Sequence, residues 1–236
     1  MISRYTFFII FIIILTSCTA NQEITLYSNG SGSCSLIIDL APLFVQYIGD
    51  LGEVSGEFNS IDDVVIFDTI QIRDELLSRP GIQVKKVESP NQDRLELDFN
   101  FQNIEDIFRT DKVLSSTQVI TFKHNKNNKI VHLHLDKENF NQLFSIFPFL
   151  EEEIIKSLLP YPKQTKKDYL ETIDFAIYDE GAYLVRQSNI RVAITVHGQI
   201  IEQKGGIIYG NTVVFNIPLE RILYPDPAID YFIVFR

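Results

Sequence analysis

The chain has 236 residues, 45% of them hydrophobic and 18 of them Phe, and carries a formal charge of −10 at pH 7. That apolar content suffices for a sizeable core and excludes a disordered tail. The acidic balance argues against nucleic acid, whose affinity comes from neutralised phosphates, and against general adhesion to anionic lipid through Lys and Arg.

Behind Arg4, an apolar run over residues 5–15 ends in Leu15-Thr16-Ser17-Cys18. A basic start, about ten apolar residues and small residues at the cut make a secretory signal. The run is shorter than the ~20 residues of a spanning helix. The Leu-x-Ser-Cys ending resembles a bacterial lipobox, which implies that residues 1–17 are a cleaved lipoprotein signal peptide. Cys18 is then the lipidated first residue of the mature protein, because its sulfur attacks the diacylglyceryl donor. Each buried methylene contributes about 0.8 kcal/mol, so two or three palmitate-like chains hold the protein on the membrane. Thr19 follows Cys18 where Asp would retain the protein, which implies the outer membrane in bacteria that have two. Residues 18–22 read as a lipidated N-terminus and short tether, four extended residues spanning about 14 Å. Work at the membrane surface is expected from so little slack. Once Cys18 is acylated only Cys34 remains as a thiol, so no intrachain disulfide is expected, and its place in a strand pattern predicts burial.

Residues 23–236 read as a single α+β domain. Residues 24–28 and 34–40 form strands around Asn29-Gly30-Ser31-Gly32. A two-residue loop mismatches the faces, whereas a three-residue loop sets Leu26 opposite Cys34 and Ile24 opposite Leu36. A short apolar helix is predicted over residues 42–51. A second helical stretch opens at a Ser60/Asp63 capping box and ends near Ser78, before Pro80-Gly81. Strands follow over 82–88 and 94–102. In the latter Leu95, Leu97, Phe99 and Phe101 share one face and Arg94, Glu96, Asp98 and Asn100 the other, the pattern of an antiparallel sheet with one wet side. Asn103 caps a short helix through Phe108. A hairpin over 117–124 and 129–136 pairs Ile120 with Leu133 and Phe122 with Val131. Helical signals occupy 137–159, broken at Pro148, and 166–179, with Pro160-Tyr161-Pro162 between them. Strands return over 190–197, 199–203, 212–217 and 229–235. The expected fold is therefore α+β, a mainly antiparallel sheet packed against several helices, with the last strands joining the first sheet.

The residues offer little catalytic chemistry. No Gly-x-Ser-x-Gly elbow or His-Glu-x-x-His helix occurs, and no Cys-His pair is proposed by spacing. His132-x-His134-x-Asp136 would share one strand face and suits zinc by ligand type, but parity sets Thr121 and Lys123 beside it, and a lysine disfavours a cation. No metal, cofactor or catalytic residue is assigned. His197, before Gly198, reads as a turn residue. Glu151, Glu152 and Glu153 suit a helix N-terminus, and Lys123, Lys126 and Lys129, like Lys163, Lys166 and Lys167, read as solvated loops. Residues 140–159 are densely apolar, which means core helices first and the wall of an apolar cavity second. On the second reading Phe140, Leu143, Phe144 and Phe147 are the candidate ligand-binding residues.

The order of features is similar to that of the LppM-type lipoproteins of bacteria. The likeness is carried by the lipobox at Cys18, the strand and turn over 23–32, and Pro80-Gly81-Ile82 leading into Leu95 and Phe101. It continues in Asn103-Ile104-Glu105-Asp106-Ile107, in residues 190–198 and in residues 213–219. It implies an α+β envelope domain with an apolar cavity and a lipid or glycolipid ligand, and it supplies no catalytic residues. The sequence departs from that pattern at His197, where proline is expected, and in closing on a strand at Arg236 where the family carries a membrane segment. The function expected is a lipid-anchored, non-enzymatic protein of the bacterial cell envelope that binds a lipid or other apolar ligand at the membrane surface. The alternative is a structural or adaptor lipoprotein whose partner is another envelope protein.

Overall fold

A computed structural model describes residues 17–56, 65–125, 127–143, 159–161 and 163–236. Strands β1 (Thr19–Leu26) and β2 (Gly32–Asp39) are followed by helices α1 (Pro42–Ser55) and α2 (Thr69–Ser78), then by β3 (Ile82–Asn91) and β4 (Arg94–Phe101). Short helices α3 (Ile104–Thr110) and α4 (Lys112–Ser116) lead to β5 (Ile120–Asn125) and β6 (Asn128–Leu135). Helices α5 (Lys166–Ala176) and α6 (Gly181–Gln187) precede β7 (Asn189–Val196), β8 (Ile200–Lys204), β9 (Ile207–Tyr209) and β10 (Thr212–Pro218). Helix α7 (Leu219–Leu223) and β11 (Ile229–Phe235) close the chain.

The strands form a seven-stranded sheet, β3-β4-β2-β1-β7-β10-β9, and a four-stranded sheet, β5-β6-β11-β8. Every pairing is antiparallel except that of β1 with β7. The fold is α+β, as the element pattern predicts; of the last strands β7 and β10 join the first sheet, whereas β8 and β11 lie in the small sheet with β6, contrary to the expectation that all of them extend the first. The two sheets bury their facing sides together: Leu26, Phe101, Ile194, Val196, Val213 and Phe215 of the large sheet share a cluster with Leu135, Ile229, Ile233 and Phe235 of the small one. Alternation sets the same face of β4 against α2, where Leu95 and Leu97 meet Leu76 and Val87. The opposite face is wet and carries ion pairs, Arg94–Asp39 at 2.6 Å, Arg94–Glu96 at 2.7 Å and Lys86–Glu96 at 2.5 Å. Helices α5 and α6 build a third cluster with Ala41 and Leu223.

The β5–β6 hairpin has the expected register, Ile120 opposite Leu133 and Phe122 opposite Val131. The first hairpin keeps the expected parity but is shifted by two residues, with Ile24 opposite Cys34 and Leu26 opposite Gly32. The turn is centred on Asn29 instead of Gly30: Tyr27 N–H donates to Ser31 O at 2.8 Å, Gly30 N–H donates to Tyr27 O at 3.0 Å, and Asn29 Oδ1 accepts from Ser31 N at 3.1 Å. Gly32 is where the chain closes up, since a Cβ there would lie 2.0 Å from Thr25 O and 2.4 Å from the Phe101 ring. Strand β1 starts at Thr19, so residues expected as tether are sheet residues, paired on both sides with β2 and β7. Helix α2 starts later than expected: residues 65–68 are not helical, and Asp68 Oδ1 accepts from Ile70 N and Gln71 N at 3.0 and 2.9 Å. The Ser60/Asp63 box, Lys126, Phe144, Phe147, Pro148, Glu151–153, Pro162 and all of the signal segment except Ser17 lie outside the described residues. Residues 137–141 form a turn where helix was expected, and α6, β9 and α7 were not anticipated.

Two measurements check this core. Ile233 is fully buried between the sheets, so Ile233→Ala lowers the unfolding free energy by about 2–5 kcal/mol at an unchanged denaturant slope. Cys34 is 6% exposed, and burial pushes its thiol up to about 11 against the Gln22 side chain that bonds it. It resists alkylation at pH 8 in the native protein and reacts once denaturant is added, a contrast read by mass spectrometry.

Candidate functional site

The two ends of β1 carry the features that bear on function. At its head, Cys18 N–H donates to Ser188 Oγ at 3.0 Å, and Cys18 Sγ accepts from Ala41 N at 3.3 Å. Ser188 is 2% exposed and its hydroxyl donates a hydrogen bond to Leu184 O at 2.6 Å, so α6 holds Cys18 through Ser188. Burial raises the Cys18 thiol, against the lowering effect of the Ala41 and Ser188 contacts. The side chain lies against the α5–α6 cluster and remains partly exposed.

At the foot of β1, about 23 Å away at 3.3 Å per residue, the tips of two hairpins and the start of α3 enclose a cleft of about 420 Å³. Leu26, Tyr27 and Phe235 form its apolar part, and the Tyr27 ring lies against His197 with centroids 4.6 Å apart. His124, Lys129, His197 and Arg236 bring basic groups to it, with Glu105 the single acid among the described lining residues. Each is held: His124 Nδ1 lies 2.8 Å from Glu105 Oε1, Lys129 Nζ donates to Ser28 O at 2.7 Å, and Arg236 donates twice to Gln199 Oε1 at 3.1 and 2.7 Å. Gly30 O accepts from Ile104 N at 2.9 Å, which fastens the first hairpin to α3. Among the described residues the lining contains no cysteine, and its only serine is Ser28. The arrangement suits retention of a ligand with an anionic or acceptor-rich head and an apolar flank.

His132 and His134 project from β6, as their spacing predicts, but the group they meet is Asp230 of β11, directly opposite His134. Asp230 Oδ1 lies 2.6 Å from His132 Nε2 and 3.6 Å from His134 Nδ1, and Oδ2 lies 2.5 Å from Lys204 Nζ. Lys204, then His132, holds the Asp230 carboxyl well below its usual range. Asp136 takes the other side of His134, with Oδ2 3.1 Å from Nε2, while its Oδ1 accepts from Glu138 N and Asn139 N. The lysine in contact is Lys204 of β8, not the expected Lys123.

Of the apolar candidates, Phe140 is half-buried and bridges the inter-sheet and α5–α6 clusters, and Leu143 packs on the inter-sheet cluster. Neither lines the cleft at the foot of β1. The cleft was not anticipated: His197 and Lys129 read as turn and solvated-tip residues. The signal available for them was the basic tip against an acidic background.

No protein-family model and no curated protein matches this sequence. A solved structure similar to the chain is the NMR structure of the folded domain of Mycobacterium tuberculosis LppM. It covers 94% of this chain and 90% of that one at 11% identity, with a TM-score of 0.44.

The Cys18 attachment has a direct check. Ser188→Ala strands Cys18 N–H and removes the donor to Leu184 O, so it lowers stability by about 1–3 kcal/mol in denaturant unfolding.

Proposed function

We propose that this protein is a lipid-anchored, non-enzymatic component of the bacterial cell envelope that binds a lipid or other apolar ligand carrying an acceptor-rich head. The observation that carries the reading is Cys18, which closes the lipobox sequence and also stands bonded at the head of β1. Among the described residues no helix is long and apolar enough to cross a membrane, so the acyl group is the attachment this reading requires. The cleft is the proposed ligand site. Tyr27, Leu26 and Phe235 supply an apolar wall, and Lys129, Arg236 and the two histidines supply donors for phosphate or carboxylate. The absence of slack between Cys18 and β1 keeps the cleft within a strand's length of the anchor.

A second reading rests on β9. Among the described residues it pairs only with β10, at the edge of the large sheet, and Ile207, Ile208 and Tyr209 are all exposed there. An exposed apolar edge strand is suited to adding a strand from a protein partner, which is the adaptor alternative.

Cys18→Ala is expected to leave an unprocessed, unacylated precursor, seen as loss of detergent-phase partitioning and of the acyl mass. A diacylated mature product from that variant would refute the anchor. For the ligand, mass spectrometry of lipids co-purified with the mature protein is expected to detect a bound lipid that is lost in Lys129→Ala/Arg236→Ala. Equal lipid content in both would place the ligand elsewhere, and a lipid-free protein that captures one envelope protein through β9 would favour the adaptor.

A further inference from the structure

We propose that His132, His134 and Asp230 form a zinc-class metal site on the outer face of the four-stranded sheet, with Asp136 as the residue that orients His134. Asp136 Oδ1 is occupied by two backbone N–H groups at 2.8 and 2.9 Å, which fixes the carboxylate and aims Oδ2 at His134 Nε2, 3.1 Å away. A carboxylate oxygen only accepts, so the proton of a neutral His134 sits on Nε2 and Nδ1 is a bare lone pair. That lone pair faces Asp230 Oδ1, a second acceptor, at 3.6 Å. Two acceptors so placed are completed by a cation between them, and His132 Nε2, 2.6 Å from the same oxygen, brings a third donor atom to the spot.

The geometry fits a small divalent ion. The three ligand atoms all lie within 4.8 Å of one another. Zinc bonded to N and O at about 2.0–2.2 Å in a tetrahedron sets its ligands about 3.3 Å apart. The His134–Asp230 separation is already near that edge, and the His132–Asp230 pair opens by about 0.7 Å through side chains about one-third exposed. The His132 proton now shared with Asp230 moves to Nδ1, so the ring stays neutral and Nε2 becomes the ligand. Two imidazoles and a carboxylate are an established zinc donor set, and three protein ligands leave a fourth position open toward solvent. The Asp136–His134 contact is the carboxylate–histidine support that such ligands carry.

Lys204 opposes the ion by charge, but its ammonium bonds Oδ2 and leaves Oδ1 for the metal. It therefore supplies the most specific test. Zinc is titrated calorimetrically into the full chain, purified in detergent and stripped with chelator, in phosphate-free buffer. Cobalt is titrated in parallel for its visible ligand-field absorption. One zinc per chain is expected, with a cobalt spectrum of low coordination number. Asp136→Asn weakens binding about tenfold, His132→Ala and Asp230→Asn weaken it more, and Lys204→Gln tightens it. Circular dichroism of each variant separates lost binding from lost folding, and Lys204→Gln keeps the test informative if a histidine variant fails to fold. The proposal is overturned if zinc does not saturate below millimolar concentration. It is also overturned if the folded His132→Ala/His134→Ala protein binds zinc as tightly as the parent.

Discussion

The parallel pairing of β1 with β7 is the contact on which the architecture depends. It joins segments 170 positions apart in perfect step, from Thr19 opposite Asn189 to Leu26 opposite Val196. Without it the large sheet falls into two pieces, β3-β4-β2-β1 from the first half of the chain and β7-β10-β9 from the last third. The small sheet then loses its floor, because its buried residues pack on Leu26, Ile194 and Val196 along that seam. Closing so long a loop costs entropy before any burial offsets it. The seam is therefore expected to form late in folding, after the local hairpins.

The parts of this fold that were legible in the sequence are those set by local pattern. Alternation over β4 identified its wet and dry faces, and the apolar matching of Ile120 with Leu133 fixed the second hairpin. Asn103 announced α3, whose Glu105 N–H it accepts at 2.9 Å. The first hairpin is set partly by local pattern and partly by a distant strand. Parity was readable because one face must be apolar, but the two-residue shift depends on Gly32 meeting Thr25 O and Phe101, a contact from β4 that no local pattern contains.

The site residues follow the same division. His132 and His134 were visibly on one face, yet Asp230 lies 98 positions away from His132 and reaches it only because β11 inserts between β6 and β8. The cleft was hidden for a similar reason. It is assembled from two hairpin tips, a helix start and the end of β11, so its basic residues are dispersed along the sequence as unremarkable turns and tips. Nor did composition reveal that Thr19 to Gln22 belong to the sheet, since Thr, Asn and Gln are ordinary linker residues. They are held as strand because β2 and β7 flank them on both sides.

The pairing of residues 19–22 on both sides sets what the proposed lipidation of Cys18 would mean physically. A lipoprotein with a long polar linker is tethered but free to turn, and its orientation is averaged over the linker's conformations. Here the backbone leaves Cys18 directly into a central strand, its O accepting from Asn189 N and its N–H bonded to Ser188. If Cys18 is lipidated as proposed, rotation of the domain relative to the acyl chains would be limited to the side-chain and glyceryl torsions. On the lipid-anchored reading the helix cluster around Cys18 lies toward the bilayer. The cleft at the foot of β1 then faces a restricted set of directions, and a ligand or partner meets one presented face of the domain rather than all of them.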